Sequence, residues 1–347
     1  MKHTGTLAIA ASLTLGCAFA GAPAQTPQGR SLYVIAKTIP LGAPDRWDYL
    51  TYEPGSHRIY AAHGTSIDVL DGRSGEPLGK VAVPGANGIA VVPEVGKGYA
   101  GSRANKSVVV FDLKTFRISR NVSVGEDTDA VAYDPASKRV FVMEGDPHKA
   151  IAVDTQSDRV AGAVALSGDP EFAVVDAQGA LFVNIADRRE IQRINTRSLE
   201  VEATWAIPEC ESPHGLAIDV NSKRLFSTCA NSKMVIVDAT NGHVVHTFPI
   251  GQGTDGSGFD TVRKRAFSSN GSGTLTVLQV AGPDQFELLQ ETPTQPLART
   301  MTVDSETGRI YLLAGERIEV EPAAPNPRRR YGVAPGSARL LFLDPSG

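Results

Sequence analysis

From about residue 46 onward, short apolar runs alternate with polar turns, and residues 130–166 show the unit most clearly. Ala130-Val131-Ala132-Tyr133 is followed by the turn Asp134-Pro135-Ala136-Ser137-Lys138 and by Arg139-Val140-Phe141-Val142-Met143. Ala150-Ile151-Ala152-Val153-Asp154 and a run from Val160 to Leu166 complete it. Runs of this length, bounded by Asp, Gly, Ser and Asn, predict antiparallel strands joined by tight turns. The unit recurs. A strand ending in an aromatic ring returns at Tyr60, Tyr99, Phe141, Phe182, Phe226, Phe267 and Tyr311, spaced 39 to 44 residues apart. Arg58, Arg139, Arg224, Arg265 and Arg309 each stand two places before such a ring, and another apolar strand closes on Asp71, Asp112, Asp154, Asn195, Asp238, Gln279 and Asp344.

Four strands per unit at a period near forty residues predict an all-β, seven-bladed β-propeller of four-stranded antiparallel blades. Blades are expected at about 46–85, 86–125, 126–168, 169–209, 210–251 and 252–294, with the seventh built from 295–347. Small residues at Ala90, Ala132, Ala173 and Ala217 suit inner strands that converge on an axis. Blade seven shows only three strands in this reading, at Thr300–Val303, Arg309–Leu313 and Arg339–Leu343. Its outer strand is expected from residues 31–42, where Leu32 to Ile39 forms an apolar run, so that the N-terminal segment closes the ring and leaves no open edge. An insertion from about Ala314 to Ala338 interrupts the repeat, carrying Pro322, Pro325, Pro327, Pro335, Arg328-Arg329-Arg330 and Tyr331, and is expected to act as a flap on the channel face.

The first twenty residues have the pattern of a signal peptide: Lys2 and His3, an apolar stretch from Leu7 to Leu15, and Ala18-Phe19-Ala20 before Gly21. Ala22-Pro23-Ala24 offers a later cleavage point. A periplasmic or secreted product is expected, comprising residues 31–347 as one propeller. Beyond the leader only Cys210 and Cys229 remain, at the same end of one predicted hairpin, and an oxidising compartment favours a disulfide over two buried thiols. The net charge of −4 argues against a basic nucleic-acid-binding domain, and no later segment is apolar enough to span a membrane.

The chain resembles the YVTN-type β-propellers, and among them the YncE-like exported proteins. The resemblance rests on Arg46-Trp47-Asp48-Tyr49-Leu50, on the turn from Asp134 to Phe141, and on Ser212-Pro213-His214-Gly215-Leu216-Ala217-Ile218-Asp219. It implies an exported seven-bladed propeller that binds a ligand, a nucleic acid or a partner, with no agreed catalytic residues.

In such a ring the start of each inner strand faces the central channel, which predicts a ligand site from Asp48, Asn87, Asp129, Glu171, His214, Asp255 and Arg299. Asp45, Glu126, Asp127, Asp169, Glu209 and Glu211 lie in the same connections and would reinforce its acidity. Crowded carboxylates raise one another's pKa or recruit a cation, and Asp48, Asp129, Glu171 and Asp255 offer the oxygen donors that suit Ca²⁺ or Mg²⁺. The plainer alternative is that they hold water and cap strand ends. A small molecule or a protein partner is expected at this mouth.

Two other chemistries compete. His214, Glu171 and Arg299 could serve a lactone or ester hydrolase, although neither a G-x-S-x-G nor an H-E-x-x-H motif occurs. Cys210, His214 and Cys229, with His63 or Met143, could hold a soft metal in place of the disulfide. The opposite face carries His57-Arg58, Lys97, Lys138-Arg139, Lys223-Arg224, Arg263-Lys264-Arg265 and Arg309, a candidate nucleic-acid surface. Asp134, Asp219, Asp260, Asp304 and Glu306 are expected to neutralise much of it by pairing within each hairpin.

Overall fold

The structure, a computed structural model, describes residues 1, 31–320 and 331–346. The leader, including both cleavage points, and Arg328-Arg329-Arg330 of the insertion therefore lie outside the described residues. From Ser31 onward the chain forms seven four-stranded antiparallel sheets arranged as a seven-bladed propeller. The inner strands are Leu50–Glu53, Ala86–Val92, Thr128–Asp134, Pro170–Val175, Pro213–Asp219, Thr254–Asp260 and Thr300–Asp304.

The recurring ring is the wedge between blades. Tyr60, Tyr99, Phe141, Phe182, Phe226, Phe267 and Tyr311 are each no more than 1 % exposed. Every core cluster is shared by neighbouring blades; one joins Tyr60, Ile67 and Val69 of blade one to Ile89, Val109 and Phe111 of blade two. A blade by itself would leave both apolar faces in water, so only the closed ring buries them.

The ring closes as the sequence predicts. Tyr33–Pro40 pairs antiparallel with Arg339–Pro345, giving blade seven its outer strand. Tyr33 is fully buried against Phe267, edge to face with centroids 5.5 Å apart. Within the insertion, Arg317–Glu319 and Tyr331–Val333 form a short hairpin. Asp45 anchors its base, accepting the amides of Gly336 at 2.7 Å and Ser337 at 2.9 Å.

In blades one to five the Asp or Asn that ends the third strand closes an Asx-type turn. Asp71 accepts the amides of Arg73 and Ser74, Asp112 those of Lys114 and Thr115, and Asn195 those of Arg197 and Ser198. The amide hydrogen bonds hold the pKa of Asp71 below the usual carboxylate range, and the Thr115 hydroxyl, with the same residue's amide, does so for Asp112.

The basic residues before the rings pair only in part within their own blades, where Arg224 meets Asp238 at 3.0 Å and Arg309 meets Asp344 at 2.5 and 2.9 Å. They reach across to the next blade. Arg58 Nη1 donates to the Leu113 carbonyl at 2.6 Å, Arg139 Nη1 to those of Thr196 and Arg197 at 2.8 and 3.0 Å, and Arg309 Nη1 to those of Gly72 and Arg73, both at 3.1 Å. Lys97, in the same register, donates to the Thr155 carbonyl at 3.1 Å. Arg224 donates to the Pro283 carbonyl at 2.8 Å and Arg265 to the Tyr33 hydroxyl at 3.2 Å. Asp134, Asp219 and Asp304 instead accept backbone amides of their own turns, and Arg263–Asp260 at 3.2 Å is an ion pair that does form inside a hairpin. The positive ring is therefore largely a set of clasps between blades.

Cys210 and Cys229 form a disulfide, with Cα atoms 5.1 Å apart and both residues fully buried. That removes the soft-metal alternative. His63 is committed elsewhere, with Nδ1 3.1 Å from Asp68 Oδ2 and Nε2 2.6 Å from the Pro44 carbonyl, and Met143 is buried in the core of blades three and four.

Candidate functional site at the channel mouth

The backbone irregularities of the inner strands fall on the predicted site residues. Pairing with the second strand shifts register between Ala86 and Ile89, Thr128 and Val131, Pro170 and Ala173, Pro213 and Leu216, and Thr254 and Gly256. These intervals contain Asn87, Asp129, Glu171, His214 and Asp255. A bulge re-aims the side chain it carries, and here it recurs around the axis. Close approach of neighbouring inner strands completes the convergence. A Cβ on Gly88 would lie 2.4 Å from the Asp129 carbonyl oxygen, and one on Gly215 would lie 2.6 Å from the Ser257 nitrogen. Only glycine permits that spacing.

His214 Nδ1 lies 3.5 Å from Glu171 Oε2 and 3.9 Å from Asp255 Oδ1, and Arg299 Nε lies 3.1 Å from Asp255 Oδ2. His214 Nδ1 is buried yet makes no hydrogen bond of good geometry, while Nε2 meets Ser212 Oγ at 3.5 Å. Glu171, His214 and Asp255 bring one ligand atom each to within 4.8 Å of one another, the sole such triad among the described residues. An imidazole with two carboxylates is a borderline donor set, suited to Zn²⁺ or Mn²⁺, rather than the all-oxygen set expected from Asp48, Asp129, Glu171 and Asp255.

Asp48 and Asp129 add negative potential to the triad. Burial, with repulsion from Asp255, pushes the Asp48 pKa up to about 7 against the pull of Arg299, Arg103 and Arg46. Burial also pushes Asp129 well above the carboxylate range, reinforced by Asp48 and Glu171, and Asp255 is raised by burial despite Arg299 and His214. The His214 pKa is raised by its contact with Glu171.

Asn87 departs from expectation. It is 1 % exposed and donates to the Thr128 carbonyl at 2.8 Å, so it ties blade two to blade three instead of facing a ligand. The reinforcing acids are also mostly engaged: Asp127 with Arg103 at 2.7 Å, Glu126 with Lys106 at 2.6 Å, Glu211 with Arg189 at 3.6 Å, and Asp45 with the insertion. Two contributors escaped the sequence reading. Arg103 supplies a second cation near Asp48 and Asp129, and Glu144, fully buried with its pKa pushed to about 7, accepts the Asp127 amide at 3.3 Å. Glu144 ends a second strand where the other blades carry His63, Ser102, Ile185, Cys229, Asn270 and Ala314, so its ionisable group was the available signal.

Beneath the mouth, Tyr49 of blade one and Phe172 of blade four meet at the axis with centroids 5.0 Å apart. They head a channel of about 320 Å³, its surface about evenly polar and apolar, to which all seven inner strands contribute, among them Ile89, Leu216, Phe259 and Met301. The mouth is thus an acidic rim over an aromatic floor.

No family model matches the chain, and a search of curated proteins finds no match. Among solved structures, the chain is similar to a chain of Kuenenia stuttgartiensis hydrazine synthase, with a TM-score of 0.68 and 16 % identity over 76 % of this chain and 91 % of that one. A chain of the mitotic checkpoint complex gives 0.74 and 12 %, covering 97 % of this chain and 99 % of that one. The WD40 repeats of RRP9 give 0.72 and 12 %, covering 89 % and 98 %. At these identities the likeness shows the propeller fold alone. That fold is consistent with a protein- or ligand-binding module, and among the described residues no helix is long and apolar enough to cross a membrane.

Proposed function

We propose that this chain is an exported, YncE-like propeller that binds a small cationic ligand at the acidic mouth of its channel. The observation that carries the reading is the convergence of Asp48, Asp129 and Asp255 with Glu171 on one rim, the pKa values of the three aspartates held up by burial and by the neighbouring carboxylates. A bound cation relieves that repulsion and gives His214 Nδ1 a partner. The aromatic floor of Tyr49 and Phe172 would in addition favour an organic cation through the ring faces. The leader pattern and the disulfide support export.

Hydrolysis by His214, Glu171 and Arg299 is the second reading, favoured by the 3.5 Å contact between His214 and Glu171. The raised pKa of His214 leaves less of it in the neutral form that a general base needs, so binding takes precedence. The basic turn face offers nucleic acid little, because its arginines are engaged between blades.

The test is a thermal-shift screen of the chain with Zn²⁺, Mn²⁺, Ca²⁺, putrescine and choline against sodium chloride of matched ionic strength. At least one cation is expected to raise Tm by several degrees, the linkage expected of a ligand that binds only the folded state. The rise should vanish in Glu171→Gln and Asp255→Asn. Identical melting across the panel would remove the reading.

A further inference from the structure

The clasps between blades have one break. At every other junction among the described residues, a Lys or Arg two places before the ring donates to the next blade: Arg58, Lys97, Arg139, Arg224, Arg265 and Arg309. Blade four carries Ala180 at that register, paired with Asn195 as Arg139 is paired with Asp154. Its methyl group cannot donate.

A second cavity, of about 260 Å³, opens at that junction between blades four and five. Phe182 and Ile218 form apolar walls, and Ala239 and Thr240 line its end. Those two residues occupy the turn positions whose carbonyls accept the clasp in other blades, as Thr196 and Arg197 accept Arg139, and Gly72 and Arg73 accept Arg309. The remaining charges offset one another. Asp176 and Lys223 both border the cavity, and Arg193 is paired with Glu202 at 2.6 Å.

We propose that this cavity binds an alkylguanidinium from outside the fold, either a free small molecule or the arginine side chain of a partner. The protein itself displays the recognition mode. At five of the six clasped junctions the head is a guanidinium; in blades three and seven its Nη1 donates to two successive turn carbonyls, and a neutral head lacks the positive charge that strengthens those bonds. The inference is independent of the channel mouth, so either can fail without the other.

The experiment titrates butylguanidinium, its neutral counterpart butylurea, and the peptide acetyl-Gly-Arg-Gly-amide into isotopically labelled protein, following the amides of Ala239 to Gly242 by NMR. Butylguanidinium is expected to shift them, with butylurea weaker by about tenfold or more, the worth of a charge-assisted pair of hydrogen bonds. A peptide tighter than butylguanidinium assigns the site to a partner's arginine; equal or weaker peptide binding assigns it to a small molecule. In Ala180→Arg the built-in guanidinium should abolish binding of all three. Should that variant not fold, Thr240→Trp, at the exposed rim, closes the same cavity and should have the same effect. Unshifted amides in the native chain, equal binding of butylurea, or binding that persists in both variants would each overturn the proposal.

Discussion

Deleting residues 31–41 should lower Tm by roughly 10 °C or more and make the chain more prone to aggregate on heating. The removed segment supplies the outer strand of blade seven, seven backbone pairings with Arg339–Pro345, and the fully buried Tyr33. Ladder hydrogen bonds are worth about 1 kcal/mol each net, and an excised buried aromatic costs about 3 to 5 kcal/mol. The sum is on the order of 5 kcal/mol or more, which for a domain of this size corresponds to a shift of that scale. Arg265 would also lose the Tyr33 hydroxyl that it contacts across the junction between blades six and seven. The exposed edge of Arg339–Pro345 would then be free to pair between molecules. Differential scanning calorimetry with light scattering reads both effects. A truncation melting with the full-length chain would show that the ring does not depend on its N-terminal strand.

Asp48→Asn should stabilise the protein at pH 8 and leave it nearly unchanged at pH 4. The native pKa of Asp48, about 7, lies above the ordinary value of 3.8. A carboxyl group raised on folding contributes stability fully present below its unfolded pKa and lost as pH rises through the folded one. The window is therefore pH 4 to 7. At pH 8 the ionised group has forfeited a difference of about 3 pKa units, or about 4 kcal/mol at 1.36 kcal/mol per unit. Asparagine keeps the shape and does not titrate. Asp129 is held up in part by the Asp48 charge, so the substitution also relieves that carboxyl and adds to the stabilisation in the same direction. Urea unfolding in cation-free buffer at the two pH values gives the difference directly; an effect independent of pH would contradict the electrostatic account of the mouth.

What the sequence made legible was whatever repeats. The rings at Tyr60 to Tyr311 and the polar residues from Asp71 to Asp344 recur in register; the rings proved to be interblade wedges, and the polar residues of blades one to five proved to be turn caps. Ring closure was legible because blade seven lacked a strand that residues 32–39 could supply. Side-chain direction was not. Asn87 and Asp129 occupy equivalent places beside a bulge, yet one turns into the junction between blades and the other toward the rim. That choice depends on the neighbouring strand, which the local sequence does not record. For the same reason the arginines read as partners within a hairpin became clasps to the next blade. Most of their acceptors on the next blade are backbone carbonyls, such as those of Leu113 and Thr196, and carbonyls carry no sequence signal.

The claim on which the functional reading turns is that bound cations replace protons on a crowded acidic rim. Calorimetric titration of the best-shifting cation, at pH 7 in two buffers of different ionisation enthalpy, counts the protons released per cation bound. With Asp48 titrating near that pH, the native chain should release about half a proton or more, and Asp48→Asn measurably less. Saturable binding with no proton release in either protein, or binding untouched by Asp255→Asn, would contradict it.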